Sequence, residues 1–323
     1  MLRPYICPEG DSMKNRSLAP VILCLICGLC FLCLSVNAQQ ADPRIAELRG
    51  KLQRDLEKTA AEFDSAMGIA VRDLTSGEAF FVNADTVFPQ ASSIKIPILL
   101  ELLRQAQAGP VASGLKLEER IELKRAMMTG GSGVLLRFGD GTSALSLRDI
   151  ATLMIVLSDN TATNILIDRV GMENVNGLLR ELGLKDTKLQ RRMMDVEAGR
   201  ASRENLSTPR EMVTLLELLH GGKILDAPHT ALAIEILKYP KSTSLRRGVP
   251  PQVEVANKPG GIPGVACDSG IVLLAGRPYA ISVMTTYGRD EEAAGRAITE
   301  VSRSVFAYFE RLARSNAYGA RTQ

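Results

Sequence analysis

The sequence predicts an α/β fold. Three observations lead there: strand-like runs lie towards both ends of the chain, helix-period runs fill the stretch between them, and no internal repeat or low-complexity linker divides the two. The composition is that of a globular protein, with 46% hydrophobic and 23% charged residues among 323. A net charge of +3, without a basic run carrying interleaved aromatics, gives no footing for nucleic acid as a partner. Acidic or zwitterionic small molecules remain open as ligands.

Residues 1–38 read as a signal peptide. Lys14 and Arg16 form a positive start, Val21 to Leu34 is an unbroken apolar run, and Val36-Asn37-Ala38 offers small residues for cleavage before Gln39. The apolar run is short for a membrane span, which takes about 20 residues; a retained anchor is the alternative. Met13 is a second candidate start. The protein is therefore expected to be exported, periplasmic or secreted, without stable membrane insertion once the signal is removed. Cys24, Cys27, Cys30 and Cys33 have iron–sulfur spacing, but they lie in that apolar run and would be removed with it, as would Cys7. Cys267 is then the only mature cysteine, so the fold relies on its hydrophobic core rather than on disulfides.

In the mature chain, residues 39–323, the elements come in order. An amphipathic helix is expected from Pro43 to Phe63, with Ile45, Leu48, Leu52 and Leu56 at helical spacing. A hairpin follows, Met67–Asp73 and Ala79–Asn83, turning through Leu74-Thr75-Ser76-Gly77. Phe88 to Pro97 then opens a long apolar helix. The run Thr129-Gly130-Gly131-Ser132-Gly133 lacks the ending of a phosphate-binding loop and reads as a flexible loop. Ser146-Leu147-Arg148-Asp149 is a capping box for a helix to about Leu157. Thr161–Val170 and Met172–Leu182 are the next two helices. Lys185–Ser207 is irregular and charged, and loops of more than about 12–15 residues are usually functional or disordered. It is bounded by the capping signal Thr208-Pro209-Arg210-Glu211, so it reads as packed. Strands return at Val253–Ala256, Gly270–Leu274 and Tyr279–Thr286, and Glu291–Leu312 is the last helix.

Within this order, Ser92-Ser93-Ile94-Lys95 places a hydroxyl and an amine three residues apart, on one face of a helical turn. A serine hydroxyl becomes a nucleophile when a neighbouring base takes its proton, and the unpaired N–H groups of a helix start can hold a developing anion. Taken singly, the motif reads equally as a helix start with a solvated lysine, and Ser113-Gly114-Leu115-Lys116 has the same spacing. Ser158-Asp159-Asn160 stands at a helix–helix corner, where it either caps the second helix or projects into a cleft. Lys258-Pro259-Gly260-Gly261 follows a strand. His220 and His229, one ending a helix and one in a following turn, belong to no motif, so neither a Ser-His-Asp arrangement nor a metal site is expected. No cofactor is expected.

The ordered set Ser92-x-x-Lys95, Ser158-Asp159-Asn160 and Lys258-Pro259-Gly260 resembles the signature of class A serine β-lactamases and penicillin-binding proteins. Ser158 to Asn164, Ser207-Thr208-Pro209 and Arg246-Arg247-Gly248-Val249-Pro250 extend the resemblance over essentially the whole mature chain. It implies an α/β lobe with an antiparallel sheet from residues of about 39–90 and 225–323, packed on an all-α lobe of about 91–224. It also implies roles. Ser92 attacks a strained amide carbonyl, Lys95 holds or removes its proton, and Ser158 relays a proton to the leaving nitrogen. Asn160 binds the substrate's side-chain amide, and Lys258 attracts its carboxylate beside Gly260. The N–H groups of Ser92 and Gly261 form the oxyanion hole. A monomer acting on a small-molecule β-lactam or related acyl compound is expected.

Two departures qualify that pattern. Aligning the long loop puts Met193 where class A enzymes carry the glutamate that activates the deacylating water, leaving Asp195 and Glu197 as candidates or as solvated charges. Pro259 replaces a hydroxyl residue, and Ser269 stands near the place of an arginine that serves the carboxylate pocket. The first reading is therefore a β-lactam hydrolase. The alternatives are an acyl-serine penicillin-binding, peptidase- or esterase-like enzyme with poor turnover, and a non-catalytic binding protein on the same scaffold.

Overall fold

The computed structural model describes residues 42–322. The signal segment, its cysteines and its cleavage site lie outside the described residues.

The helix α1, Pro43–Glu62, leads into β1, Ala66–Asp73, and β2, Ala79–Val82. The short strand β3, Phe88–Pro89, precedes a 3-10 turn, Ala91–Ile94, that runs straight into α2, Lys95–Ser113. Next come β4, Arg120–Glu122, and β5, Ala144–Ser146, then α3, Leu147–Val156, α4, Asn160–Val170, and α5, Met172–Glu181. The long loop contains a single turn of helix, α6, Val196–Arg200, and ends in β6, Leu206–Ser207. The rest is α7, Pro209–His220, α8, Ala227–Lys238, α9, Ser244–Arg247, β7, Val255–Ile262, β8, Val265–Val272, β9, Tyr279–Thr286, and α10, Glu291–Ala313.

Five strands form one antiparallel sheet in the order β2-β1-β9-β8-β7. Alternate residues of a strand point to opposite faces, and β9 shows what that does here. Ile281 and Val283 join a core that includes Leu52 and Leu56 of α1 and Val305 and Phe309 of α10. Ala280 and Met284 join a second core with α2, α4 and α7. Both faces of β9 are therefore covered, which is why its sequence is almost continuously apolar. In the first core Tyr279 stacks on Phe309 at 4.6 Å and Phe80 meets Tyr308 edge-on at 5.2 Å. In the second, α2 is buried all round from Lys95 to Leu103, the mark of a central helix.

Local chemistry sets several ends. Ser146 and Asp149 make the full reciprocal capping box of α3. Thr208 caps α7, but Glu211 turns away to accept from the N–H groups of Asp186 and Thr187, so only half of that box forms. The long loop is tied accordingly, with Lys188 paired to Leu206, Gln90 N–H donating to Asn205 O at 2.8 Å, and β3 paired with β6.

Three expectations need correction. His229 lies inside α8, not in a turn, because Asp226 caps a helix there and accepts from its N–H. The strand expected from Gly270 begins at Val265, since pairing with β7 and β9 overrides the polar run Cys267-Asp268-Ser269. Lys258-Pro259-Gly260-Gly261 lies inside β7 rather than after a strand, since pairing with β8 continues to Ile262.

The edge strand β7 packs directly on the turn that carries Ser92. A Cβ at Gly260 would lie 2.4 Å from Gln90 O and 2.9 Å from Ser92 N, whereas one at Gly261 would meet only Val265 O at 3.9 Å. The demand for glycine thus falls on 260. Gly260→Ala should destabilise the fold by about 1–3 kcal/mol through overpacking. Gly261→Ala should cost well under that; equal denaturation midpoints for the two variants would contradict the packing described.

Candidate active site

Four elements converge on one hydroxyl. The 3-10 turn before α2 presents Ser92, half-buried, and delivers Lys95 into the interior with no exposure. Ala91, just before the serine, has φ of +44°, a left-handed conformation that a residue with a side chain rarely takes. The corner between α3 and α4 supplies Ser158, itself left-handed at φ +52°, and Asn160. The edge strand β7 supplies Lys258, 1% exposed.

The Lys95 amine donates to Ser158 O at 2.7 Å, to Ser158 Oγ at 3.0 Å and to Asn160 Oδ1 at 3.1 Å. The Lys258 amine donates to the same Ser158 Oγ at 3.1 Å and to Pro259 O at 2.9 Å. One hydroxyl thus sits between two buried amines. Burial pushes both amines below their ordinary value, and the positive charge of Lys258 pushes Lys95 further. Lys258 is brought down to about 8, with Asp268 and Cys267 pulling it up and Lys241 pushing it down.

The corner is held by Asp159. Its carboxylate accepts from Val134 N at 2.6 Å, Leu135 N at 2.8 Å and Ala162 N at 2.9 Å, so it caps α4 and pins the glycine-bearing loop to it. Capping and projection therefore coexist: the aspartate caps while Asn160 lines the cleft and Ser158 meets the two amines. Asn160 Nδ2 donates to Gly130 O at 3.0 Å, which brings Gly131 and Ser132 to the same wall. Behind the turn lies Cys267, its Sγ 3.0 Å from Gln90 O, with burial pushing the thiol up to about 11.

A cleft of about 630 Å³ opens over these residues, lined among others by Ser92, Asn160, Met193, Asp195 and Gly261. Met193 is clamped at its backbone by Asn164, whose Oδ1 accepts its N–H at 2.9 Å and whose Nδ2 donates to its carbonyl at 3.2 Å. Of the two candidate acids, Asp195 lines the cleft while capping α6 by accepting from Ala198 N at 2.9 Å. Glu197 is exposed and does not line it. Ser269 does not face the cleft either; its hydroxyl is buried against that of Ser282 at 2.8 Å. Pro259 is tolerated because β7 is the edge of the sheet.

Sequence reasoning thus brought together Ser92, Lys95, Ser158, Asn160 and Lys258 with Gly260 and Gly261. It missed Asp268, Asn164 and the wall formed by Met194 and Val196. The exposure of those two apolar side chains, 52% and 54%, is visible only in the fold.

The description "Beta-lactamase enzyme family" matches residues 51–309. Beta-lactamase SME-1 of Serratia marcescens is 26% identical over 280 residues, 84% of this chain and 92% of that protein. A β-lactamase structure from Sphaerobacter thermophilus is 30% identical, superposes with a TM-score of 0.73, and is matched over 80% of this chain and 97% of its own. A mutant of PBP-A, solved as an acyl-enzyme complex with penicillin G, is 28% identical with a TM-score of 0.74, over 81% of this chain and 97% of its own. The chain belongs to the beta-lactamase enzyme family, with the antiparallel-sheet and helix fold of its class A members.

Proposed function

We propose that the protein is an exported serine hydrolase that opens the β-lactam ring through an acyl intermediate on Ser92. The observation that carries this reading is the single hydroxyl of Ser158 held between two buried amines at the edge of a cleft that also holds Ser92. Lys95, kept from its ordinary basicity by burial, is the group suited to take the Ser92 proton as Oγ bonds to the lactam carbonyl carbon. The carbonyl oxygen becomes an oxyanion facing the N–H groups of Ser92 and Gly261, a type of contact worth about 3–4 kcal/mol per donor. When the C–N bond breaks, Ser158 gives its proton to the leaving nitrogen and recovers one from Lys95. Asn160 keeps a lone pair and an N–H for the substrate's side-chain amide. Lys258 supplies positive charge for the carboxylate, which Pro259 no longer helps with a hydroxyl. Gly260 lets the strand approach.

Water must then attack the acyl carbonyl. Asp195 and Glu204 are the carboxylates on the cleft wall; Glu204 is paired with Arg191 at 2.8 Å, and Asp195 serves as base in this reading. A second reading is favoured by Met193: an apolar side chain stands where the deacylating glutamate is expected, so acylation proceeds and hydrolysis is slow. The likeness to PBP-A agrees with it. We take the lobes as about 39–90 with 225–323, and about 91–224. Export rests on residues 1–38. We take the protein to be monomeric.

Intact-protein mass spectrometry after adding a penicillin separates the readings. An adduct that forms and clears as drug is consumed marks a hydrolase; one that persists marks the slow-turnover enzyme. Ser92→Ala should give no adduct, and undiminished hydrolysis by that variant would remove Ser92 from its role. Asp195→Asn should slow deacylation by roughly 10²–10⁴, the usual weight of a general base, while Glu197→Gln should not.

The same assignment has a stability cost. The unfolded chain holds the Lys258 proton to about 10.4, the folded one only to about 8. Burying the charge therefore costs about 3 kcal/mol below pH 8, relieved as pH rises towards 10. Lys258→Met should raise stability at pH 7 by one to a few kcal/mol, with the gain shrinking above pH 8. Denaturant titrations at pH 7 and 10 that show the same gain would refute this origin.

A further inference from the structure

We propose that Met194 is a specificity-determining residue: its thioether, facing Asn160 across the bare backbone of Gly131, seats an apolar, planar acyl group carried on the substrate's side-chain amide. The inference rests on the acyl-serine reading above and names the substrate class of that site. Its starting point is the glycine-bearing loop, Thr129 to Gly133, for which the reaction itself has no use. Gly131 is left-handed at φ +82°. A Cβ added there would lie 2.7 Å from Asn160 Nδ2 and 3.1 Å from Met194 Sδ. The amide of Asn160 and the thioether of Met194 therefore border one point in the cleft, and Gly131 leaves that point to them by having no side chain.

The backbone that brings Met194 there is strained. Arg192 to Asp195 make a four-residue turn, closed by Asp195 N–H donating to Arg192 O at 3.5 Å. Met194 holds the third position of that turn at φ +62°, a conformation that favours glycine or asparagine. The turn is fixed on both sides: Asn164 clamps the backbone of Met193, and Asp195 caps α6. A long apolar side chain thus stands exposed, at a position that disfavours it, beside the amide proposed to bind substrate. Strain held in place by its neighbours in this way points to a use for the side chain.

The surroundings give the chemistry of the group it takes. Val196, also exposed, lines the same cleft, and so do Ile262 and Pro263 from the turn between β7 and β8. Of the charged side chains on the cleft wall, Arg191 and Glu204 pair with each other at 2.8 Å and Asp195 accepts from Ala198 N; Arg200 is exposed. Asn160 Oδ1 accepts from Lys95, and one N–H of its Nδ2 goes to Gly130 O. One lone pair and one N–H remain for an amide, and an amide held by them has its acyl substituent beside Met194. Covering the exposed thioether and methyl with carbon removes apolar surface from water. An unbranched, polarisable thioether also adapts to the face or edge of a flat ring. A substrate with a free amine in place of the acylated one offers nothing to cover.

The test compares two penicillins with one nucleus, the first bearing a phenylacetyl group and the second a free amine, on the full-length protein. M194Q keeps the length and unbranched shape of the side chain and makes the same demand on the backbone, but it is polar. The ratio of the two acylation rates should fall roughly five- to tenfold in M194Q, and M194L should keep it near that of the parent. A ratio that M194Q leaves unchanged overturns the proposal, as does a preference for a carboxylate-bearing side chain that R200Q removes and M194Q does not. A second measurement needs no acylation. In methionine-methyl-labelled Ser92→Ala protein, the Met194 methyl signal is identified by its loss when M194Q is added. It should shift when the phenylacetyl compound binds and stay in place with the free-amine compound, because ring currents reach only nearby groups. A Met194 signal that stays in place while other signals report binding of the phenylacetyl compound also overturns the proposal. If the parent forms no adduct with either compound, the acyl-serine reading fails and the methyl shift alone decides the subsite.

Discussion

The structure depends on keeping two lysine amines inside the protein on either side of one serine hydroxyl. Burying an amine that water would keep charged is costly, and this chain buries two of them within one site. Each amine is held by an element that would be stable without it. Lys95 sits at the start of the most buried helix, Lys258 on an edge strand with seven residues of β8 alongside its neighbours, and Ser158 at a corner fixed by three hydrogen bonds to Asp159. The apolar packing of α2 and the sheet carries the penalty, and the site inherits its rigidity from that packing.

That arrangement explains the close approach of β7 to the nucleophile turn. Lys258 reaches Ser158 only if its strand comes within contact of residues 90–92, and this is where a Cβ is excluded. It also explains the left-handed residues. Ala91 precedes Ser92 and Ser158 carries the shared hydroxyl, and at each the chain takes a left-handed turn. Met194, on the cleft wall, is a third left-handed residue at the site, with φ of +62°.

Much of this was legible in the sequence because the signals are local. Apolar alternation marked β1, β2 and β9, capping residues marked α3 and α7, and three short motifs marked the polar centre. What stayed hidden depends on contacts far apart in the chain. Val265 to Ser269 is too polar to read as strand until β7 and β9 flank it on either side. A lone aspartate in such a run reads as solvated, and nothing local reveals that Asn257 and Leu245 will enclose it. Met193 could be placed by aligning the loop, but its fixing by Asn164, 29 residues earlier, needed the fold. The helix α8 escaped because its capping aspartate follows a glycine turn with little apolar periodicity before it.

The departures from the family pattern fall on one side of a physical divide. Ser158, Lys95, Lys258 and Asn160 satisfy one another, so removing any one leaves a buried amine or polar group without a partner. The side chains of Met193 and Pro259 belong to no such circuit. The first is anchored through its backbone, which is indifferent to the side chain, and the second lies on a free strand edge that asks for no N–H. On the proposed acyl-serine reading, the mutually satisfied set is what forms the acyl bond, and the side chains outside it are what seat the substrate's carboxylate and handle water afterwards. On that reading acylation is constrained by the electrostatics of the interior, whereas substrate choice and deacylation are constrained by the wall of the cleft.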